Sequence, residues 1–261
     1  MKIYNEYLKI GINNIAVQYI KQPARYKEEK TIILLHEGLG CIEMWKDWPI
    51  SLAKRIKLNL VIYSRIGMGK SSEEKKKKIS NFLHEEALHV LPKIINNYCK
   101  SDPILLGHSD GASISIIYAG NRLPCKAIIL EAPHVIVESV TIREIKSIKK
   151  VWDNSNIKLK FKKYHSNPDK VFSSWCDVWL SREFAKWNIT NLLKYITCPI
   201  LLIQGNEDQF GTKKQLNLIE KNVSSYIKKI ILKNCKHSPH LEYPKLVVDY
   251  VEEFSKNVWQ L

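Results

Sequence analysis

The sequence lacks the features that mark zinc-binding, disulfide-stabilised and membrane-spanning proteins. Its six cysteines form no C-x-x-C pair, and none stands beside a histidine at zinc-finger spacing. The N-terminal sequence MKIYNEYLKIGINN has no apolar stretch of the ~7–15 residues found in signal peptides. No apolar run approaches the ~20 residues needed to cross a bilayer. We therefore expect reduced thiols, no metal and a cytoplasmic location.

The charge of the chain is strongly positive, with a formal net charge of +15 at pH 7. Such a charge is compatible with an acidic partner, such as nucleic acid, an anionic membrane or an acidic carrier protein. The lysines are scattered, however, except for the run at 75–78, which follows Glu73 and Glu74. No aromatic RNA-binding signature accompanies them. The pattern favours a solvated basic surface over a specific nucleic-acid site.

Short β-rich apolar runs alternate with longer amphipathic stretches along most of the chain. This alternation is typical of a mostly parallel sheet flanked by helices, so we expect the α/β class. The predicted strands are Ile15–Ile20, Thr31–Leu35, Leu58–Tyr63, Pro103–Leu106, Lys126–Leu130, Pro199–Gln204 and Ile227–Leu232. The predicted helices are Trp45–Ile56, Ser80–Tyr98, Ser109–Ala119, Thr212–Val223 and Leu246–Phe254.

The alternation stops at about His134 and resumes at Pro199. The interval has helical periodicity, many lysines and a concentration of aromatic residues. We interpret residues 134–198 as a helical cap inserted over the carboxyl edge of the sheet, with 1–133 and 199–261 forming the core. Its aromatic residues are expected mostly to pack a small core of the cap, the alternative being an apolar acyl pocket. Its lysines are expected to be solvated, the alternative being a surface for an acidic carrier protein or an anionic substrate.

The main chemical signal is the pentapeptide GHSDG at residues 107–111. It follows an apolar run and precedes a helix-like stretch, which is the strand–turn–helix context that G-x-S-x-G requires. Small residues at both ends allow the backbone to crowd at this turn, and the serine oxygen is exposed at the top of the sheet. We interpret Ser109 as a nucleophile, the alternative being a serine that only caps the helix.

A nucleophilic serine needs a histidine base and a carboxylate that orients the base. Asp208 follows a buried strand in PILLIQGNEDQFGT, and His237 follows another in KKIILKNCKHSPHLEYP. Loops after strand ends are where such a sheet assembles its site. The register of the motif favours Asp208 over Glu207 as the acid. It favours His237 over His240 as the base, with His240 supporting the site.

Two further loops contain glycines and follow early strands. HEGLG, residues 36–40, is suited to supply an oxyanion-hole amide, because glycine lets the backbone approach developing negative charge. SRIGMGKS, residues 64–71, nearly fits the phosphate loop G-x-x-x-x-G-K-[ST]. Its first glycine is missing, and a highly charged segment follows instead of an amphipathic helix. We therefore reject nucleotide binding.

Together these motifs resemble those of the α/β-hydrolase superfamily, of the capped type with the insertion after the sixth strand. HEGLG resembles H-G-x-x-G, residues 65–71 resemble R-x-G-x-G-x-S, and the C-terminal motif resembles G-H-x-x-H-x-E-x-P. The resemblance covers nearly the whole chain. The sequence departs from it in two places: Glu37 follows His36 where glycine is usual, and Lys236 precedes His237 where glycine is usual.

The resemblance implies roles for individual residues. Ser109 would be the nucleophile, Asp208 the acid and His237 the base. The oxyanion hole would be made by the amide of Asp110 and by that of Gly38 or Leu39. Residues that would contact the substrate or support the site are His36, Glu37, His108 and His240.

The resemblance also implies an activity. We expect a serine hydrolase that cleaves a small or medium carboxylic ester or thioester through an acyl-enzyme, without a metal or organic cofactor. The same triad serves carbon–carbon bond hydrolysis and acyl transfer, and the fold does not choose among them. The alternative from another class is a non-catalytic protein that binds a small ligand. The expected partner is a small-molecule acyl substrate, with no specific nucleic acid and no membrane span.

Overall fold

The computed structural model describes residues 1–23, 29–75, 78–153 and 156–260. Eight strands form one sheet in the order β1-β2-β4-β3-β5-β6-β7-β8. The strands are β1 (Lys2–Ile10), β2 (Asn13–Lys21), β3 (Thr31–Leu35), β4 (Asn59–Tyr63), β5 (Ile104–His108), β6 (Ala127–Glu131), β7 (Ile200–Gly205) and β8 (Ile227–Leu232). β2 is antiparallel to β1 and β4, and all other neighbours are parallel. The predicted α/β class is confirmed.

All seven predicted strands are present, with ends within two residues of the prediction. β1 is an additional strand that the sequence did not predict. It lies at the edge of the sheet, most of its side chains are exposed, and its polar and apolar residues form no continuous buried run. Gly11, at φ +60°, turns the chain from β1 into β2. With β1 counted, β6 is the sixth strand.

The helices largely follow the predicted positions. Those of the described residues are α1 (Trp48–Ile56), α2 (Phe82–Glu85), α3 (Leu91–Tyr98), α4 (Asp110–Gly120), α5 (Ser139–Val151), α6 (Asn156–Phe161), α7 (Pro168–Trp179), α8 (Thr190–Leu193), α9 (Lys213–Asn222), α10 (Pro239–Glu242) and α11 (Pro244–Trp259). The predicted helix at 80–98 is divided, because a π-helical turn at Glu86–Val90 joins α2 to α3. Among these helices, none is both long enough and apolar enough to cross a membrane.

The core lies on both faces of the sheet. Successive strand residues point to opposite faces, so Ile33 and Leu105 belong to one hydrophobic cluster while Ile32 and Ile104 belong to the other. Helices α3, α4 and α9 cover the first face, and α1 and α11 cover the second. Because β5 is buried on both faces, the turn that follows it is held firmly in place.

The segment between β6 and β7 contains α5, α6, α7 and α8. Its two ends meet in an isolated bridge between Ile136 and Asn188. Within it, Trp152 and Phe172 stack with their ring centroids 3.8 Å apart. Their cluster is continuous with that of one sheet face, so these aromatic residues do not form a separate core. We propose that residues 134–198 act as the cap.

Candidate active site

Ser109 lies at the sharp turn between β5 and α4. Its backbone has φ +54° and ψ −114°, an unusual conformation for a residue other than glycine. Its amide donates a hydrogen bond of 2.9 Å to the carbonyl of Glu131 at the end of β6. A side chain at Gly107 would overlap Gly111, and one at Gly111 would overlap the Leu35 carbonyl. The two glycines therefore permit the close approach of β5, α4 and β3 that presents Ser109 at the carboxyl edge of the sheet.

Asp208 and His237 form a hydrogen-bonded pair at the same edge. Nδ1 of His237 lies 2.8 Å from Oδ1 of Asp208, whose side chain is almost fully buried. The same carboxylate accepts hydrogen bonds from the amides of Phe210 and Gly211 and from Nε2 of Gln204. Burial alone would raise the pKa of Asp208, but His237, the hydrogen bond from the Phe210 amide and the nearby His134 hold this pKa below its ordinary value. This carboxylate is therefore charged and fixed against the histidine.

Of the two acids considered for the pairing, only Asp208 contacts His237. The neighbouring Glu207 is exposed, and its amide donates to the carbonyl of Cys235. The backbone of His237 is also linked to the residue before Ser109, because Nε2 of His108 donates a 2.8 Å hydrogen bond to the His237 carbonyl. Among the described residues, Ser109 Oγ makes no hydrogen bond to His237. Such bonds are often long in free enzymes and shorten when substrate is bound.

Gly38 and Asp110, two of the predicted oxyanion-hole residues, lie side by side. A Cβ atom at Gly38 would stand 3.2 Å from Oδ2 of Asp110 and would overlap the indole nitrogen of Trp175 on α7. Glycine is therefore required where the loop passes beneath this aromatic residue. The Leu39 carbonyl accepts a 2.9 Å hydrogen bond from Nε2 of His165, another residue of the segment between β6 and β7.

His165 and His36 order the two glycine-containing loops. Nδ1 of His165 accepts a 3.0 Å hydrogen bond from the Gly69 amide, so His165 links both loops. Nε2 of His36 accepts a 3.1 Å hydrogen bond from the Arg65 amide, and its Nδ1 donates to the Glu37 carbonyl. Burial and the adjacent Arg65 hold the pKa of His36 well below its ordinary value. His36 is therefore neutral, and its two ring nitrogens link the loop at residues 36–40 to Arg65.

A buried ion pair joins Arg65 to Asp110. Nη1 of Arg65 lies 3.5 Å from Oδ2 of Asp110, and the two side chains are 4% and 1% exposed. Nη2 of Arg65 donates a 2.6 Å hydrogen bond to the Glu37 carbonyl. Burial raises the pKa of Asp110, and Arg65 opposes this shift. The sequence analysis recognised the motif that contains Arg65 but did not predict its partner, because the two residues are distant in sequence.

His240 pairs with Glu131, a residue that the sequence analysis did not single out. Nδ1 and the amide of His240 lie 2.7 Å and 3.2 Å from Oε2 of Glu131. The ring of His240 packs against Trp45, with centroids 4.5 Å apart. His240 is therefore committed to Glu131 rather than to Asp208. The sequence signal for Glu131 was its position directly after the predicted strand Lys126–Leu130, which lies next to β5 in the sheet.

Neither a metal site nor a carrier surface is evident in the described residues. No group of three or more histidine, cysteine, aspartate or glutamate side chains there could hold a metal ion. Two lysines of the segment between β6 and β7, where the alternative of a carrier surface was considered, pair within the chain: Lys149 lies 3.9 Å from Asp177, and Lys158 lies 2.8 Å from Asp169. Of the lysine run at 75–78, residues 76 and 77 lie outside the described part. The carrier hypothesis thus gains no support.

Neither a family model nor a curated protein matches the sequence. Solved structures match nearly the whole chain. A putative lipase from Acinetobacter baumannii AYE has a TM-score of 0.82 at 18% identity, covering 99% of this chain and 92% of its own. A bacterial membrane phospholipase A has a TM-score of 0.78 at 17% identity, covering 99% and 87%. A serine hydrolase involved in carbazole degradation has a TM-score of 0.75 at 14% identity, covering 97% and 98%.

These matches and the sheet topology establish that the chain has the α/β-hydrolase fold, as the sequence motifs predicted. The similar structures include lipases, esterases and other serine hydrolases. At these identities the likeness shows the fold alone.

Proposed function

We propose that the protein is a serine hydrolase that cleaves a small or medium carboxylic ester or thioester through an acyl-enzyme on Ser109. The observation that carries the proposal is the 2.8 Å contact of His237 Nδ1 with the buried Asp208 carboxylate, at the same edge of the sheet as a serine with φ +54°. A base with a fixed orienting carboxylate, next to a serine on a strained strand–helix turn, is the arrangement used for acyl transfer.

In the first half of the reaction, Ser109 Oγ attacks the substrate carbonyl while Nε2 of His237 takes the hydroxyl proton. Asp208 accepts the hydrogen bond from Nδ1, which keeps Nε2 free and stabilises the imidazolium. His237 then gives the proton to the leaving alcohol or thiol as its bond to the acyl carbon breaks. In the second half, His237 takes a proton from water as the water oxygen attacks the acyl carbon. His237 then returns this proton to Ser109 Oγ as the bond between Oγ and the acyl carbon breaks and the acid is released.

The amides of Gly38 and Asp110 hold the oxyanion in this mechanism. Two observations support the assignment: Gly38 lies beside Asp110, and the Asp110 amide is in the first turn of α4, where amides lack intrahelical acceptors. In other enzymes, loss of one such donor costs about 3–4 kcal/mol of transition-state stabilisation. The Arg65–Asp110 pair offsets the negative charge of the Asp110 side chain next to this position.

Labelling with a fluorophosphonate probe tests the proposal. The adduct on the purified protein is located by mass spectrometry of peptides. We expect modification of Ser109 in the wild type and its loss in Ser109→Ala and His237→Ala. Ser115→Ala is the matched control, because this buried serine lies in α4, the helix that follows Ser109, and its hydroxyl donates to the Gly111 carbonyl. It should label at the wild-type rate.

The activity itself is then measured with 4-nitrophenyl esters and with acyl thioesters of increasing chain length. Release of 4-nitrophenol or thiol that depends on Ser109 supports hydrolysis. A folded wild-type protein that neither labels nor turns over any of these substrates would overturn the proposal in favour of the non-catalytic binding protein.

A further inference from the structure

A pair of cysteines lies at the edge of the sheet where β6 and β7 begin. The Sγ atoms of Cys125 and Cys198 are 3.7 Å apart, within hydrogen-bonding distance for two sulfur atoms. Both residues are half-buried and therefore open to small reagents, whereas Cys41, Cys176 and Cys235 are buried. The proposed hydrolase mechanism uses neither thiol of the pair.

Hydrogen bonds of the surrounding backbone hold this pair in place. Directly after Cys125, the amide of Lys126 donates a 2.8 Å hydrogen bond to the carbonyl of Pro103. The carbonyl of Cys198 accepts a 2.7 Å hydrogen bond from Oγ of Ser225. The two thiols are therefore kept close together by the fold, without a bond between them.

The two thiols line one surface cleft of about 410 Å³. Small-molecule sites commonly have volumes of about 300–1,000 Å³. Arg122, Lys194 and Tyr195 line the same cleft. The guanidinium carbon of Arg122 and Nζ of Lys194 lie 4.8 Å and 5.0 Å from the centre of the Tyr195 ring. One aromatic ring thus holds both cations in the cleft that contains the thiols.

The cleft has an excess of positive charge. In the described part of the chain, its two cations contact the Tyr195 ring and form no ion pair. Among the described residues that line the cleft, Asp102 is the one carboxylate against Arg122 and Lys194. Arg122 also has φ +61°, an uncommon backbone conformation for a residue other than glycine. This charge favours a ligand that carries anionic groups.

The two thiols differ in their tendency to ionise. The hydrogen bond with Cys198, burial and the nearby Asp102 all raise the pKa of Cys125. The hydrogen bond from Cys125 lowers the pKa of Cys198, although burial opposes this shift. When one proton is lost, Cys125 therefore keeps its hydrogen and Cys198 becomes the thiolate. The thiolate is the nucleophilic form of cysteine, so Cys198 is suited to attack first.

We propose that this cleft is a thiol–disulfide exchange site for a small disulfide that carries carboxylates. The Cys198 thiolate attacks one sulfur of the small disulfide, which forms a mixed disulfide and releases one small thiolate. Cys125 then loses its proton and attacks Cys198 Sγ, which releases the second small thiolate and leaves a Cys125–Cys198 disulfide. The protons of the two cysteines pass to the released thiolates. The cysteines are oxidised, and the small disulfide is reduced to two thiols.

Arg122 and Lys194 bind the carboxylates of the small disulfide in this proposal. The exchange takes place at the edge of the sheet opposite Ser109 and does not rest on the proposed hydrolase function.

Oxidised glutathione, a disulfide rich in carboxylates, tests the two steps. The modified cysteines are located by mass spectrometry of peptides. In Cys125→Ser the second step is blocked, so the mixed disulfide should accumulate on Cys198. In Cys198→Ser the modification of Cys125 should be at least about tenfold slower. Cys99→Ser is the control and should give the wild-type products, because burial raises the pKa of Cys99 to about 12.

Two outcomes would overturn the exchange mechanism. Equal rates at Cys198 in the first variant and at Cys125 in the second would refute the assignment of the attacking sulfur. A wild-type protein in which oxidised glutathione modifies neither thiol would refute the exchange site itself.

A comparison with the neutral 2-hydroxyethyl disulfide tests carboxylate recognition. The rate of mixed-disulfide formation on Cys198 is measured with each probe in Cys125→Ser. The ratio of the two rates does not depend on the thiolate fraction, because the same thiolate attacks both probes. Adding Arg122→Gln and Lys194→Gln should lower the ratio for oxidised glutathione over the neutral probe about threefold to tenfold. Salt at 1 M should lower it similarly in the parent.

The matched control adds Lys54→Gln and Lys245→Gln to Cys125→Ser instead. Both lysines are exposed and lie on α1 and α11, outside the cleft, so the same net charge is removed elsewhere. This control should keep the parent ratio. An unchanged ratio after loss of Arg122 and Lys194, or an equal fall in the control, would overturn the recognition of carboxylates by the cleft.

Discussion

Oδ1 of Asp208 lies 2.8 Å from Nδ1 of His237, and the same oxygen accepts hydrogen bonds from the amides of Phe210 and Gly211. The carboxylate is thus oriented by the backbone of its own loop before it orients the histidine. This arrangement fixes the tautomer of His237, because the proton must stand on Nδ1 and the lone pair on Nε2.

Replacing Asp208 by asparagine should therefore impair the proposed base without removing the loop. In other serine hydrolases this change leaves the geometry intact and lowers kcat by about 10⁴, because the histidine takes the wrong tautomer. We expect a loss of similar size in ester hydrolysis and in fluorophosphonate labelling. Glu207→Gln is the control, since Glu207 is exposed and next in sequence. Equal activities of the two variants would contradict the assignment of the acid.

The Arg65–Asp110 pair should be important for stability, because both side chains are buried. Removing one member of a buried pair leaves a charge without a partner and typically costs about 3–5 kcal/mol. We expect Arg65→Met to lower the free energy of unfolding in urea by about this amount. The double variant Arg65→Met/Asp110→Asn should recover part of the loss.

Lys70→Met, which removes an exposed pair with Glu43, should cost about 0–1 kcal/mol. Equal losses in Arg65→Met and Lys70→Met would show that burial does not govern the effect.

The strands were predictable from sequence because buried parallel strands leave a local signal. β3 and β7 are continuous apolar runs, and their burial follows directly from that composition. β1 leaves no such signal, since it is exposed and acquires its structure from pairing with β2. The strand exists because of a neighbour rather than because of its own apolar pattern.

Some residues of the candidate site were also predictable from local sequence, whereas others were not. Ser109, Asp208 and His237 were proposed from motifs in which each residue stands at a strand end. The pairing of Glu131 with His240 spans 109 residues, and no local pattern encodes it. The contact of Trp175 with Gly38 depends on how α7 lies against the core, which periodicity does not specify. Long-range partners of this kind are set by tertiary packing.

His134 should make stability depend on pH in the mildly acidic range. Its ring is buried beside His237, and burial followed by the charge of His237 lowers the pKa of His134 from 6.5 to about 4. Between these values the unfolded chain binds a proton that the folded chain does not. The free energy of unfolding should therefore fall as pH decreases from 6.5 towards 4, by up to about 3 kcal/mol from this residue.

Urea unfolding of the wild type and His134→Gln over this pH range measures the contribution. Lost packing in the variant shifts its free energy of unfolding by an amount that does not depend on pH, and the decline of this free energy between pH 6.5 and 4 should be shallower than in the wild type. Above pH 6.5 the difference between the two proteins should not change with pH. Parallel curves throughout would show that His134 is protonated equally in the folded and unfolded chains.

Gly38→Ala should disturb the proposed oxyanion loop, because the added methyl group would overlap the Trp175 indole. Overpacking of this kind typically costs about 1–3 kcal/mol of stability, and the displaced amide should slow fluorophosphonate labelling. The double variant Gly38→Ala/Trp175→Leu replaces the indole by a smaller side chain, so it should recover part of the lost stability and part of the lost labelling rate. Gly211→Ala is the control, since its nearest contact would be an ordinary 3.4 Å from His134. If Gly38→Ala and Gly211→Ala were labelled at the same rate, the expected overlap between the added methyl group and the Trp175 indole would be contradicted.

Cys125 and Cys198 should form a disulfide under mild oxidation. Their Sγ atoms lie 3.7 Å apart, and the two residues precede the neighbouring parallel strands β6 and β7. Bond formation requires these sulfur atoms to approach to about 2.05 Å. Treatment with diamide, which takes up the two hydrogens, should protect both thiols from alkylation, as measured by peptide mass spectrometry. In Cys125→Ser, Cys198 should remain open to alkylation after diamide treatment. In the control variant Cys99→Ser, Cys125 and Cys198 should both be protected.

The cross-link should stabilise the fold without altering the proposed chemistry. It closes a loop across 73 residues, for which the chain-entropy model gives up to about 4 kcal/mol of added stability. Both cysteines lie at the amino ends of their strands, opposite the edge that carries Ser109, so the labelling rate should change by less than about twofold. Urea unfolding and labelling of the oxidised and reduced forms measure the two effects. Slow labelling of the oxidised form would instead show that constraining this edge alters the site, because the closed loop includes the whole segment 134–198.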